Sequence, residues 1–316
     1  MFWAEVTLPA AAEYTVISKT DNFLRKDTKM KSVVVLGGDM RGAYCAGRLS
    51  REKGYNVVVS GLKGRAEGDK EERLPEHADI LVLPYVSLTS GEDGRMYISS
   101  VQAGERISFE SAAGLVKRGT AVFCGRLPEQ CAKALIDRGA KLYDWFSDEE
   151  LTLKNAALTA EGAAQIITGE SKDGVGGSNI LILGCGRVAR ACAELFCSMG
   201  GSVTVAARKE SDRRFAVSQG WSGAALDDID SWRRADVIVN TIPARVIGEK
   251  ELKNVKPGGW ILELASKPYG LDFEEAKRLG VRAVPGSGLP GKFTPEAAGE
   301  NMACYVIKAA GGDLSE

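Results

Sequence analysis

Residues 178–189 read SNILILGCGRVA. The pattern predicts a buried strand, a tight turn at Gly184 and Gly186, and a helix that begins near Arg187. The buried face of that helix would carry Cys192, Leu195, Phe196 and Met199. The first glycine permits the turn, the second lets the backbone approach a pyrophosphate, and Ala189 lets helix and strand pack closely. A glycine-rich turn in an ordinary α/β domain is the alternative, but the order strand, turn, helix favours a dinucleotide-binding Rossmann domain.

The end of the next predicted strand bears on which dinucleotide binds. In NAD-binding folds an acidic residue about 20 positions after the motif holds the ribose 2′-hydroxyl. Here the strand ends in Ala207, Arg208 and Lys209, without a carboxylate. Because a guanidinium can bind a phosphate with two hydrogen bonds, the site is predicted to take NADP. A solvent-exposed Arg-Lys pair is the alternative, and it would leave the cofactor preference open.

Three later strand ends carry polar or glycine-rich loops. They read NTIPA at 240–244, ELASKP at 263–268 and PGSGLPGK at 285–292. Ligands of open α/β sheets bind at the carboxyl ends of the strands. The predicted cofactor-binding residues are therefore Gly184, Gly186, Arg187, Val188, Ala207, Arg208, Lys209, Thr241, Ile242, Pro243 and Ala265.

The chain on both sides of the motif alternates short apolar strands with helix-length segments. Strands are expected near 33–37, 56–60, 79–83, 120–124, 140–143, 179–183, 202–206, 236–240, 259–264 and 281–285. In the first half, helices are expected near 42–53, 108–118 and 128–138. The fold class is α/β, with two doubly wound parallel-sheet domains.

The expected domain organisation has five parts. A five-turn helix from Glu150 to Thr168 would bridge the domains, and a helix from Pro295 to Ala310, with Thr294 as N-cap, would end the fold. A solvated loop is expected from Lys63 to Arg73. The parts are an N-terminal extension (1–30), a flavodoxin- or Rossmann-like domain (31–150), the bridging helix (151–176), the NADP-binding Rossmann domain (177–292) and a C-terminal segment packed on the cleft or the first domain (293–316).

Composition narrows the function class. The 41 Lys and Arg nearly balance the 42 Asp and Glu, so neither a nucleic-acid-binding field nor an acidic tail is indicated. No apolar run approaches the ~20 residues that cross a bilayer and no secretory signal is evident, so a cytoplasmic protein is expected. The seven cysteines show no paired spacing and predict reduced core thiols, without a metal site. The single histidine, His77, lies in a charged loop, which argues against histidine-base catalysis.

Segments NTIPA, LASKP and GLPGK, taken together with the glycine motif, resemble the family of dipicolinate synthase A subunits. The first half agrees, with VLGGDMR at 35–41, LPYV at 83–86 and NAALTAEG at 155–162, and the resemblance spans about residues 31–310. It implies an NADP-dependent oxidoreductase that oxidises dihydrodipicolinate, a product of the lysine pathway, to pyridine-2,6-dicarboxylate in the mother cell of a sporulating bacterium. It also implies a flavoprotein-like partner, the B subunit of the synthase, and leaves a homo-oligomer open.

Such a substrate needs groups that hold two carboxylates. The candidates are Lys267, beside Ser266 at a strand end, together with Lys292 and Thr159. Each has an ordinary alternative: Lys292 as a surface lysine, and Thr159 as a hydroxyl that bonds within its helix. Asp39 and Arg41 follow a strand-ending Gly-Gly and either touch substrate or close a turn.

Two other functions fit the same residues. One is a stand-alone NADP-dependent dehydrogenase of the shikimate or amino-acid type, although no Lys-Asp pair is evident at the strand ends of the first domain. The other is a non-catalytic protein that senses nucleotide for a partner, which has some force because no catalytic dyad stands out. A complete first α/β domain and a bridging helix favour an enzyme, because together they form a cleft.

Overall fold

The first sheet has the strand order of flavodoxin-like folds. The computed structural model describes residues 30–62, 74–99 and 106–311. The elements are β1 Lys31–Leu36, α1 Met40–Leu49, β2 Tyr55–Ser60, β3 Ala78–Val82, β4 Leu88–Ser90, β5 Met96–Ile98, α2 Phe109–Gly114, β6 Val116–Cys124, α3 Glu129–Asp137 and β7 Lys141–Asp144. Strands β2-β1-β3-β6-β7 form a parallel sheet, and β4 and β5 form a separate antiparallel hairpin. The order 2-1-3-4-5 places a topological switch point between β1 and β3.

The second sheet has the Rossmann order. Its elements are α4 Glu149–Glu170, β8 Asn179–Leu183, α5 Arg187–Ser198, β9 Ser202–Ala206, α6 Glu210–Ser218, β10 Ser222–Ala224, α7 Ile229–Arg234, β11 Val237–Asn240, α8 Glu249–Leu252, β12 Trp260–Glu263, α9 Phe273–Arg278, β13 Arg282–Pro285, α10 Leu289–Phe293 and α11 Pro295–Ala309. All six strands are parallel, in the order β10-β9-β8-β11-β12-β13. Numbered within the sheet this is 3-2-1-4-5-6. The predicted fold class, α/β with two doubly wound parallel sheets, is confirmed.

Helix α4 belongs to two hydrophobic cores. Leu151, in its first turn, is buried with the residues under β1 and β3, whereas Ala163 and Ile167 are buried in the core beneath β8. The helix starts cleanly because the Asp148 side chain accepts a hydrogen bond from the Leu151 amide at 2.8 Å. One rigid element therefore ties the two sheets together.

Helix α11 returns to the first sheet. Its residues Met302, Val306 and Ile307 are buried in the core that also holds Val33 and Val35 of β1. A Cβ on Gly299 would lie 2.5 Å from the Arg41 carbonyl oxygen and 2.9 Å from the Cys45 nitrogen. The backbones of α11 and α1 thus approach as closely as a glycine allows.

Several predicted elements differ from the structure in their ends. The helix expected near 42–53 ends at Leu49, and the one expected near 108–118 ends at Gly114. Strand β6 begins at Val116 because it pairs with β3, and the Thr120 hydroxyl bridges a register shift by donating to the Ala78 carbonyl at 2.6 Å. Pairing across the sheet overrides the local helical pattern.

Two further differences lie near the C-terminus. The loop predicted at 285–292 contains α10, and Thr294 also ends that helix, so its hydroxyl lies 3.5 Å from the Pro290 carbonyl and makes no N-cap hydrogen bond. The predicted N-cap role of Thr294 is therefore wrong, although Pro295 does open α11. The hairpin β4–β5 was not predicted, while the expected loop Lys63–Arg73 and the extension at 1–29 lie outside the described residues.

Close packing of α11 on α1 makes Gly299→Ala destabilising. We expect the free energy of unfolding to fall by about 1–3 kcal/mol, because the added methyl would force two helix backbones apart. Gly47→Ala in α1 is the matched control: its Cβ would meet nothing within 4 Å, so alanine should stabilise the helix by about 0.5–1 kcal/mol. Denaturant unfolding measures both, and equal effects would contradict the packing.

Candidate active site

The glycine turn has the geometry that a pyrophosphate requires. Gly184 follows β8 with φ +103°, and a Cβ there would lie 2.6 Å from the Thr241 hydroxyl. Gly186 precedes α5 and faces open space, since its Cβ would meet nothing within 4 Å. The first amides of this 12-residue helix have no side-chain cap. They can therefore donate to an anion, assisted by the helix dipole.

The loop after β11 forms the other side of the turn. The Thr241 hydroxyl donates to the Leu183 carbonyl at 2.8 Å, which fixes the loop against the end of β8. Ile242 and Pro243 follow and line the same space as the glycine turn. The turn and this loop together make one wall of a cleft.

The cleft is a cavity of about 410 Å³ between the two sheets. It brings together seven of the predicted cofactor residues, Gly184, Gly186, Arg187, Val188, Thr241, Ile242 and Pro243. Four residues to which the sequence assigned no role complete it, Tyr85, Phe146, Thr152 and Asn155. Tyr85 follows β3, so the rule that ligands bind at strand ends could have identified it. Phe146 is placed there by tertiary packing, without a local sequence signal.

Tyr85 is the aromatic residue that faces the glycine turn across the cleft. Its ring lies 5.7 Å from Trp145 and 5.8 Å from Phe146. Burial raises the pKa of the Tyr85 phenol above its ordinary value, so the hydroxyl keeps its proton at neutral pH. Tyr85 can donate a hydrogen bond in the cleft without introducing charge.

The second strand end matches the predicted preference for a 2′-phosphate in its composition. Ala207 is buried, whereas Arg208 and Lys209 are exposed just before α6. Arg213 donates from Nη1 to the carbonyls of Ala207 at 2.9 Å and Arg208 at 2.7 Å, which holds this backbone in place. Within the described chain Arg208 makes no ion pair, so its guanidinium is available to a ligand.

Arg187 is engaged by the bridging helix. Its guanidinium forms a two-pronged ion pair with Glu149, with Nε 2.9 Å from Oε1. Both side chains are more than half exposed, so exchanging this pair for a pyrophosphate costs little. The pair links the start of α4 to the start of α5.

A buried carboxylate supports the cleft from below. Glu263 and Asn240 are both fully buried. The Asn240 amide donates to both Glu263 oxygens, at 2.8 and 3.0 Å, and the backbone amides of Ala265 and Gly270 donate to one oxygen each. Asn240 also exchanges hydrogen bonds with the backbone of Ile242. Burial raises the pKa of the Glu263 carboxyl and these donors oppose that rise. The sequence offered no signal for this network beyond the polar residues at two strand ends.

The remaining predicted residues lie outside the cavity. Lys267 is exposed, 6.0 Å from the Tyr269 ring centroid, and Ser266 is exposed beside it. Lys292 is exposed at the end of α10, and Ala265 is buried and bonded to Glu263. The Thr159 hydroxyl donates to the Asn155 carbonyl at 2.7 Å, which is the ordinary alternative for that residue.

Two broader searches cover the same described ranges. They contain no group of three or more His, Cys, Asp or Glu side chains placed to hold a metal ion. None of their helices combines the length and apolar character needed to span a membrane.

The Glu263 network predicts that Glu263→Gln destabilises the protein. Both carboxylate oxygens accept from N–H donors, so the glutamine NH₂ would face a donor in either orientation, at a cost of about 1–3 kcal/mol in unfolding free energy. Exposed Glu274→Gln is the control and should change stability by less than about 0.5 kcal/mol. Urea unfolding compares them, and an unchanged stability for Glu263→Gln would show that the carboxyl is not held as an ionised acceptor.

Comparison with known families separates the two halves of the chain. Residues 32–170 match the N-terminal domain of the dipicolinate synthase A subunit. Residues 155–266 match the NAD binding domain of the D-isomer specific 2-hydroxyacid dehydrogenases. The second half is therefore a nicotinamide-dinucleotide-binding domain of the dehydrogenase type, consistent with the glycine turn and sheet order.

Individual relatives span almost the whole chain. The dipicolinate synthase A subunit of Bacillus subtilis (strain 168) is 26% identical over 284 residues, which covers 87% of this chain and 94% of the relative. Crystal structures of the dipicolinate synthase A subunits from Bacillus halodurans (TM-score 0.77, 24% identity, 90% and 98% of the two chains) and from Bacillus subtilis (0.74, 24%, 90% and 96%) share its fold. These findings confirm the resemblance predicted from the sequence: the chain is similar to the dipicolinate synthase A subunits over most of its length, and residues 32–170 match their N-terminal domain.

Proposed function

We propose that this protein is an NADP-dependent oxidoreductase that converts dihydrodipicolinate to pyridine-2,6-dicarboxylate during sporulation, as the A subunit of a dipicolinate synthase. The observation that carries the proposal is the cavity in which Tyr85, from the domain that matches the synthase, faces the glycine turn of the dehydrogenase-type domain. A substrate held by the first domain would thereby contact a nicotinamide held by the second.

The proposed reaction makes modest demands on the protein. Dihydrodipicolinate and NADP⁺ give dipicolinate, NADPH and one proton, and the bound cofactor supplies the hydride acceptor. Aromatisation of the ring provides much of the driving force, so the chain has mainly to orient the ring and exclude water. The cleft is suited to that task, because neutral Tyr85 and apolar Phe146, Ile242 and Pro243 line it.

Among the three predicted substrate-binding residues, Lys292 has the most geometric support. The preceding residue, Gly291, lies against the Asp39 and Arg41 side chains, since a Cβ there would be 2.5 Å from Asp39 Oδ2. This places Lys292 one residue from the crevice of the first sheet. Lys267 and Thr159 remain predictions from the sequence alone.

A partner chain belongs to the proposal. The Bacillus subtilis relative is named as one lettered subunit of a synthase, which implies at least one other chain in that enzyme. We propose that this protein likewise works with a flavoprotein-like B subunit in the mother-cell cytoplasm.

The choice of NADP depends on Arg208. Arg208→Ala is expected to raise the Kd for NADP by about 10- to 100-fold, because charge-assisted hydrogen bonds to the 2′-phosphate would be lost. The Kd for NAD should change less than about threefold. Arg214→Ala is the control, because Arg214 is exposed on the same helix segment and pairs with Glu210. Calorimetric titration with both nucleotides measures this, and equal losses for NADP and NAD would refute the 2′-phosphate assignment.

Turnover tests the reaction itself. Purified protein, alone and with the flavoprotein-like partner, is given freshly generated dihydrodipicolinate and NADP, while pyridine-dicarboxylate and NADPH absorbance are followed together. Equal rates of appearance are expected. Gly184→Ala should abolish them because its methyl would clash with Thr241, whereas Gly200→Ala should retain them, since it carries a similar positive φ at the far end of α5 without that clash. Tight NADP binding without product, with or without the partner, would contradict the proposal and favour a nucleotide sensor.

A further inference from the structure

A second cavity lies at the topological switch point of the first sheet. It has a volume of about 150 Å³ and is lined by the residues that follow β1 and β3, among them Gly38, Asp39, Arg41, Pro84 and Tyr85. This is the position at which flavodoxin-like sheets bind their ligands. Its volume equals that of about five water molecules in the liquid, enough for a small polar group.

The Arg41 guanidinium is held in a fixed orientation at this cavity. Asp39 Oδ1 accepts from Nε at 2.9 Å and Oδ2 accepts from Nη2 at 2.7 Å, while the Asp39 side chain also caps α1. Burial opposes ionisation of Asp39, but Arg41 outweighs it, so the pKa of Asp39 lies below its ordinary value. The guanidinium carbon lies 5.0 Å from the Tyr85 ring centroid.

One side of that guanidinium is left for a ligand. None of the residues that the structure describes accepts a hydrogen bond from Nη1 of Arg41. The Arg41 side chain is 16% exposed, so the free N–H groups lie in a largely dry environment at the cavity. There a carboxylate would form charge-assisted hydrogen bonds that are stronger than those in water.

A second polar group in the cavity also lacks a partner. The Ser99 hydroxyl oxygen is buried and has no hydrogen bond within the described ranges, although Ser99 lines the cavity. Its backbone is fixed, because the Ser99 carbonyl accepts from the Gly38 amide at 2.7 Å and its amide donates to the Ser87 carbonyl at 3.0 Å. Since a buried hydroxyl without a partner is costly, Ser99 points to an acceptor that arrives with a ligand.

Tyr85 connects this cavity to the cofactor cleft. It lines both, so a molecule seated against Arg41 would extend toward the glycine turn through the space beside Tyr85. Gly291 of α10 closes over Asp39 and Arg41 from the C-terminal side. The site is therefore built from segments far apart in sequence, all converging on one guanidinium.

We infer that this cavity is the subsite for one carboxylate of the substrate, with Arg41 and Ser99 as its ligands and Asp39 as the residue that positions Arg41. The inference rests on the proposed function for the identity of the substrate, a pyridine dicarboxylate. It assigns the carboxylate to the first domain, whereas the sequence had put Lys267 and Lys292 forward.

Binding of the product tests the subsite without turnover. Pyridine-2,6-dicarboxylate is titrated into the full-length protein with saturating NADP, and calorimetry gives the Kd. Arg41→Met is expected to raise that Kd by about 10- to 100-fold while the Kd for NADP stays within about threefold. Arg41→Lys should recover part of the loss, because it restores charge without the planar fork.

Two further variants separate binding from folding. Arg48→Met is the matched control, because Arg48 lies on the same helix and pairs with Glu52, so it removes an Arg-carboxylate pair away from the cavity. It should leave the Kd unchanged. Ser99→Ala should raise the Kd several-fold without lowering the unfolding temperature, because that hydroxyl has no partner to lose in the free protein.

The outcomes distinguish this inference from the proposed reaction. Arg41-dependent binding of the dicarboxylate without turnover would sink the reaction and keep the subsite. Turnover with wild-type KM in Arg41→Met would sink the subsite and keep the reaction. The subsite is also overturned if the wild-type protein does not bind the dicarboxylate at millimolar concentration, or if Arg41→Met binds it as well as wild type.

Discussion

The helix α4 packs into two hydrophobic cores at once, and this shared packing determines how the two sheets meet. Leu151 is buried beneath the first sheet, and Ala163 and Ile167 are buried beneath the second. Between these two anchors, Thr152 and Asn155 line the cofactor cleft. Because one helix serves both cores, the carboxyl ends of the two sheets are held toward a common space. The cleft therefore follows from packing that is far more extensive than any contact inside it.

The charges around that space are arranged to receive anions. Arg41 is preorganised by Asp39, Arg187 is held in an exchangeable pair by Glu149, and Arg208 carries no ion pair in the described structure. Each lies where a different anionic group of the proposed ligands would be: a substrate carboxylate, the pyrophosphate and the 2′-phosphate. The centre of the cleft is by contrast neutral, with Tyr85 kept protonated by burial. Hydride transfer between two rings needs such a dry, uncharged centre with charges at its edges.

The sequence predicted most of the fold and one wall of the cleft. Apolar β-branched runs identified both sheets, and the glycine motif identified the turn at Gly184, because those signals are local. It did not predict the Glu263–Asn240 network, since the contact joins two strand ends whose pairing appears only when β11 and β12 lie side by side. The helix expected at 108–118 was too long for the same reason, because pairing with β3 recruits Val116 into a strand. Tyr85 and Phe146 reach the cleft by tertiary packing, which no spacing in the sequence reveals.

The most direct test of the account is a crystal structure of the protein with NADP and pyridine-2,6-dicarboxylate bound together. The account predicts the pyrophosphate at the amides that follow Gly186, the 2′-phosphate beside Arg208, and the nicotinamide between Tyr85 and Pro243. It also predicts one carboxylate of the pyridine ring on Arg41. A nicotinamide bound outside this cleft, or a dicarboxylate bound too far from it for hydride transfer, would contradict the claim that the two domains form one active site.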